Sequence, residues 1–130
     1  MVSVVEQKRM EKAAYKAKVI AALREAHSAA SAAYEAFASS AKRTADGHIT
    51  DACGGAYVIV FKPSYAFRTT LAELGEIEPG HRGAWSVSHF TRCVRDQSIT
   101  ASEVAANAAR DVLKAHFPEE EGIYARSYID

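Results

Sequence analysis

From Ser3 to Thr44 the chain contains neither glycine nor proline, and apolar positions recur every three or four residues among Ala, Glu, Lys and Arg. Val19, Leu23, Ala26, Ala30, Ala33 and Phe37 fall into a single stripe of a long helix. Alanine and unbranched side chains lose least entropy in that conformation, so propensity and pattern agree. Most members of the stripe are small, which invites a second helix to approach closely, from this chain or from another copy. Serines between Ser28 and Ser31 leave open whether the segment is one helix or two, and Gly47 is placed to cap its end.

Beyond Gly47 the pattern changes. Ala56 to Phe61 is continuous, apolar and rich in β-branched and aromatic residues, which predicts a central strand buried on both faces. Ser64 then caps a short helix with Phe67, Leu71 and Leu74 on one side and Gly75 as its stop. Glu78 to Gly83 is turn-rich, Ala84 to Phe90 alternates as a strand, and Cys93 to Ile99 is either another strand or an irregular lead-in. Thr100-Ala101-Ser102-Glu103 has capping-box spacing, and Val104, Ala105, Ala108, Val112, Leu113 and His116 follow one helical face until Pro118. Ile123 to Ile129 alternates again, with Tyr124, Arg126 and Tyr128 on one side. The expected order is α-β-α-β-β-α-β, an α+β fold in which helices cover a small, mainly antiparallel sheet. Residues 1–46 are expected to form a helical packing or oligomerisation arm and residues 47–130 a compact domain.

Bulk composition narrows the classes of partner. The 130 residues balance 16 Lys and Arg against 16 Asp and Glu, so no global field draws the protein to nucleic acid or a membrane. No apolar run reaches the roughly 18 residues of a spanning helix, and the N-terminus turns charged too early for a secretory signal. Two cysteines are too few for a disulfide framework. These features predict a cytoplasmic protein, and no cofactor motif is evident.

The second region resembles a known family. CGGAYVIV, F-x3-L-x2-LG, GAWSV, DQS-x4-E-x-AANAARDVLKAHF and GIYARSYID, in that order, are similar to the motifs of a family of small uncharacterised tailed-bacteriophage proteins. The similarity covers about residues 53–130. Lys62-Pro63-Ser64-Tyr65 and the ending Ser127-Tyr128-Ile129-Asp130 depart from the family pattern. The resemblance implies a phage origin, the host cytoplasm and a compact domain, and it implies no activity.

Several constellations carry candidate chemistry. His48 with Cys53, and His89 with Cys93, supply two His/Cys pairs that would suffice for tetrahedral zinc, but their spacings match no common zinc class. Free thiols are the simpler expectation. Gly54-Gly55 precedes its strand, whereas a phosphate-binding loop places its glycines between strand and helix. The junction with the required order is Lys62-Pro63-Ser64-Tyr65, where Lys62, Ser64 and Arg68 could hold an anion or simply cap a helix. No hydrolase, metalloprotease or P-loop motif is present, and the carboxylates gather beside turns, so the protein is expected not to be an enzyme.

Binding residues form the remaining candidates. Lys8, Lys12 and Lys16 make a basic face on the first half of the long helix, suited to phosphates or to solvent. Tyr65, His81, Arg82 and Trp85 lie on or beside turns, and Tyr124, Arg126 and Tyr128 share a strand face. Tyr, Trp and Arg are the residue types that anchor protein interfaces. The leading expectation is a small, non-enzymatic phage accessory protein that binds a host or phage protein and self-associates through its helix. Nucleic-acid binding through the basic helix and a role as a virion component are the alternatives.

Overall fold

The computed structural model describes residues 3–130, except for the side chain of His81. The element order is the expected one: α1 (Val4–Ser40), β1 (Gly54–Phe61), α2 (Tyr65–Glu73), β2 (Ile77–Pro79), β3 (Ala84–Val87), α3 (Ile99–His116) and β4 (Ile123–Ile129). The four strands form one antiparallel sheet in the order β2-β3-β1-β4, which makes β1 central. The second short strand lies at Ile77–Pro79 and overlaps the Glu78–Gly83 stretch expected to be turn. Residues 93–98 are the irregular lead-in, entered through a 3-10 turn at Phe90–Cys93.

α1 is a single helix, unbroken at Ser28–Ser31, and Ser3 caps it by accepting a hydrogen bond from the Glu6 N–H. It stops at Ser40, short of Gly47. The Ser39 and Ser40 hydroxyls donate back to the Ala36 carbonyl, competing with the helical ladder. The Arg43 guanidinium then takes the Ala38 and Gly47 carbonyls, at 3.2 and 2.9 Å. Gly47, with φ +85°, instead turns a small loop bridged between Arg43 and Ile49.

The buried stripe of α1 is Val19, Ala22, Leu23, Ala26, Ala30, Tyr34 and Ala38. Past Ala30 it steps by four, so Tyr34 and Ala38 are buried where Ala33 and Phe37 were expected. A straight helix of 3.6 residues per turn drifts in this direction from a heptad seam. Its partner lies within the chain: α1 packs along α3, whose buried side is Ala101, Ser102, Ala105, Ala106, Ala109 and Leu113. Only Ala105 and Leu113 of the expected α3 face belong to it. Val104, Ala108 and Val112 lie at the flank of that side and are only partly buried. The cap of α3 is Ser98, two residues before the expected box, with its hydroxyl accepting from Ala101 N–H at 3.1 Å. Asp51 reinforces that start, accepting from Ser98 Oγ at 2.6 Å and Thr100 N–H at 2.8 Å.

Register fixes what each sheet face does. Ala56, Val58 and Val60 of β1, Val87 of β3 and Ile123 of β4 point into one core with Phe67, Leu71 and the α1–α3 seam. That core includes residues from Val19 to Ala38 of the segment expected to be a helical packing or oligomerisation arm. Trp85 pairs with Val60 and is half-buried on the same face. All three helices therefore lie on one side of the sheet. Among the described residues no helix covers the other side.

Candidate functional site

The uncovered face is built by alternation in two strands. Residues opposite one another in an antiparallel pair project to the same side. The register sets Gly55 against Tyr128, Tyr57 against Arg126 and Ile59 against Tyr124, with Phe61 next along β1. The Tyr57 and Tyr128 rings are 6.1 Å apart, and those of Phe61 and Tyr124 are 6.0 Å apart. The Arg126 guanidinium stands 6.0 Å from the Phe61 ring. Tyr124 and Tyr128 are each 51% exposed, yet Ile59 beneath them is only 3% exposed. One part of the expectation for β1 thus changes: its outer side is shielded by neighbouring aromatic side chains rather than by another layer.

The glycine pair has a definite task here. A Cβ on Gly55 would collide with the Tyr128 ring, and one on Gly54 would collide with the Tyr128 carbonyl and crowd Ile99. The two glycines let β4 and its tyrosine lie against the strand. At the opposite end, Phe61, Lys62, Glu119, Glu121, Gly122 and Tyr124 surround an open hollow of about 580 Å³. Charge around the aromatic row is mixed, with Arg126 and Lys62 set against the two glutamates.

The anion-binding reading of the Lys62–Ser64 junction is displaced by an internal contact. The Ser64 N–H donates to Glu120 Oε1 at 2.9 Å, and Ser64 Oγ accepts from Phe67 N–H at 3.2 Å. Glu120 is 5% exposed, so the chain's own carboxylate sits at the N-cap of α2. Lys62, at the end of β1, has a left-handed backbone with φ +46°. Beside this contact, burial and the nearby Glu120 and Glu119 carboxylates push the Tyr15 hydroxyl up to about 12.

The other expected binding residues fall in separate places. Tyr65 and Arg68 meet Lys8 and Lys12 across a groove of about 940 Å³ between α1 and α2, which Glu11, Tyr15 and Glu73 also line. Lys12 and Lys16 both reach Glu73, at 3.3 and 3.8 Å. The basic face is therefore partly neutralised within the molecule. Arg68 also lies near the Tyr65 and Trp85 rings. Arg82 occupies the exposed turn before β3 with φ +56°. The side chain of His81 lies outside the described residues.

His48 and Cys53 border a hollow of about 270 Å³ with Asp51, Asp96 and Gln97, while the Cys93 thiol donates to the Phe90 carbonyl of its own turn. Both cysteines are free. Among the described residues no three His, Cys, Asp or Glu side chains gather as metal ligands do. One serine–histidine contact, His27 Nε2 to Ser88 Oγ at 2.8 Å, ties α1 to the end of β3. Burial lowers the His27 pKa, and Ser88 has φ +51°. The hollow beside Ser88 measures about 10 Å³, too small to admit a substrate.

Tyr57 and Phe61 were not singled out from the sequence. Their signal was the odd-numbered aromatic row in β1, which becomes a surface feature only when the register against Tyr124, Arg126 and Tyr128 is known. Among the described residues no helix is long and apolar enough to cross a membrane. Comparison with family models, curated proteins and solved structures returns no match, so the functional reading rests on the geometry of this face.

Proposed function

We propose that the protein is a small, non-enzymatic phage accessory protein that binds a host or phage protein through its open sheet face. The observation that carries this reading is the row Tyr128, Tyr57, Arg126, Phe61 and Tyr124 on a face that no helix covers among the described residues. Rigid aromatic side chains with one arginine give large contact area at low entropic cost, which is the composition of interface anchors. Held by a sheet, they lie preorganised. The phage kinship rests on the ordered motifs between residues 53 and 130.

Aromatic sheet faces also stack single-stranded nucleic acid, but such platforms track the phosphates with a positive groove. Here one arginine and one lysine are offset by Glu119 and Glu121, and Lys12 and Lys16 are engaged by Glu73. A protein partner fits that charge balance better.

The test is affinity capture from phage-infected cells with the wild-type protein and with Tyr124→Ala/Tyr128→Ala, alongside a gel shift with single-stranded DNA and RNA at low salt. The reading expects a stoichiometric protein partner that the double variant loses, and no shift. A salt-sensitive shift, or a partner held equally by both proteins, would overturn it.

A further inference from the structure

The two edges of the sheet are unlike. β2, at one edge, has three residues and carries Pro79, both of which discourage strand addition. β4, at the other, runs seven residues, Ile123–Ile129, with neither proline nor glycine. Its pairing with β1 keeps one register throughout, so no bulge twists it away. Among the described residues no strand pairs with its outer side.

The backbone groups on that side can be assigned. Phe61 N–H donates to the Gly122 carbonyl at 2.9 Å, and Asp130 N–H donates to the Cys53 carbonyl at 3.1 Å. Residues of an antiparallel strand turn their N–H and C=O alternately towards and away from the neighbour. Tyr124, Arg126 and Tyr128 therefore turn theirs towards β1, and Ile123, Ala125, Ser127 and Ile129 turn theirs to the free edge.

We infer that this edge pairs with β4 of a second copy of the chain, antiparallel about a two-fold axis at Ser127. In that register Arg126 lies opposite Tyr128 of the second copy, Tyr124 opposite its Asp130, and Ala125 opposite its Ile129. Each polar or charged group on the open face thus meets an aromatic or complementary group. Ile129, 73% exposed in the single chain, gains an apolar neighbour. A two-fold axis at Arg126 would set two guanidiniums against each other, and one at Ala125 would leave Ile129 without a partner. The chosen register forms about six backbone hydrogen bonds between copies. It joins the sheets into one of eight strands whose aromatic rows meet at the centre. Such a dimer does not depend on the protein-partner reading of the face.

A single strand edge is a small interface, so the dimer is concentration-dependent. Sedimentation equilibrium over a wide concentration range tests it. The wild type is expected to shift from monomer to dimer, and Ser127→Pro to remain monomeric with an unchanged circular-dichroism spectrum. That proline removes an outward N–H and leaves the β1–β4 ladder intact. Amide exchange on the wild type needs no variant: the Ala125, Ser127 and Ile129 N–H groups should become protected as concentration rises. A wild type that stays monomeric, a dimer that folded Ser127→Pro retains, or edge amides that exchange freely in the dimer would overturn the inference.

Discussion

Glu120 accepts a hydrogen bond from the backbone N–H of Ser64 at 2.9 Å, across more than fifty residues of chain. This contact ties the turn before β4 to the first turn of α2 and puts a negative charge at the positive end of that helix. A buried acceptor in this position contributes through the donor it satisfies. Glu120→Ala is expected to destabilise the fold by about 1–3 kcal/mol in urea unfolding, and Glu119→Ala, on the exposed side of the same turn, by much less. Equal effects for the two would show that the contact has no special weight.

The seam between α1 and α3 is alanine on both sides, with Ala22, Ala26, Ala30, Ala105 and Ala109 fully buried. Such a seam leaves no space for extra methylenes. Ala105→Leu is expected to cost about 1–3 kcal/mol, and Ala36→Leu, on the exposed side of α1, close to nothing. Thermal unfolding of the two variants beside the wild type measures the difference.

Acid should loosen the molecule at two defined places. Hydrogen bonds from Ser98 and Thr100 hold Asp51 well below the usual carboxylate range, and the Tyr34 hydroxyl and Arg43 lower Asp96. For a depressed carboxylate the stabilisation is complete above the unfolded value near 3.9 and is lost as pH falls through the folded value. Asp51→Asn is thus expected to lower the melting temperature at neutral pH, with the gap to wild type closing in strong acid. A gap that persists there would assign the effect to something other than charge.

Alkali acts with the opposite sign. Tyr15 is raised to about 12, and burial with the Asp96 contact raises Tyr34. A raised phenol stabilises the fold fully below the unfolded value of about 10, and this is lost as pH climbs through the folded value. Ultraviolet titration should show late ionisation whose amplitude falls in Tyr15→Phe and again in Tyr15→Phe/Tyr34→Phe. Unchanged late amplitude would refute the assignment.

The Tyr128 ring lying over Gly55 makes a coupled prediction. Gly55→Ala should destabilise the wild type, and the cost should shrink in a Tyr128→Ala background, where the ring that the new methyl would strike is gone. Additive effects would place the strain elsewhere.

The sheet centre was readable because Ala56 to Phe61 is an unbroken apolar run between glycine and proline. β2 was not, because Pro79 and Gly80 mark a turn in any local reading, and only pairing with Val87 and Trp85 makes Ile77–Pro79 a strand. α3 was found at the right place, with Ala105 and Leu113 of its expected face buried and Val104, Ala108 and Val112 offset to the flank. Weighting by hydrophobic bulk favours Val104 and Val112, whereas the buried side of the helix is mostly alanine. The same limit hid half of the aromatic face. Tyr124, Arg126 and Tyr128 were legible from their alternation, but Tyr57 and Phe61 looked like core until the sheet was seen to have one helical side. The supposed anion site failed for a nonlocal reason, since nothing near Ser64 in sequence announces Glu120.

The first turns of α1, from Val4 to Ala14, are exposed all round and extend about 16 Å before the helix reaches the core near Val19. A helix of that length is marginal in water by itself and holds its shape because the packed remainder templates it. It should fray towards its N-terminal end, giving a gradient of backbone exchange along one continuous rod. Lys8, Glu11 and Lys12 form one wall of the groove facing α2, so fraying should change the width of that groove, which the exposed Lys12–Glu73 ion pair bridges. Raised salt, which weakens exposed ion pairs, should let this wall swing further from α2 while the core of the fold stays as it is.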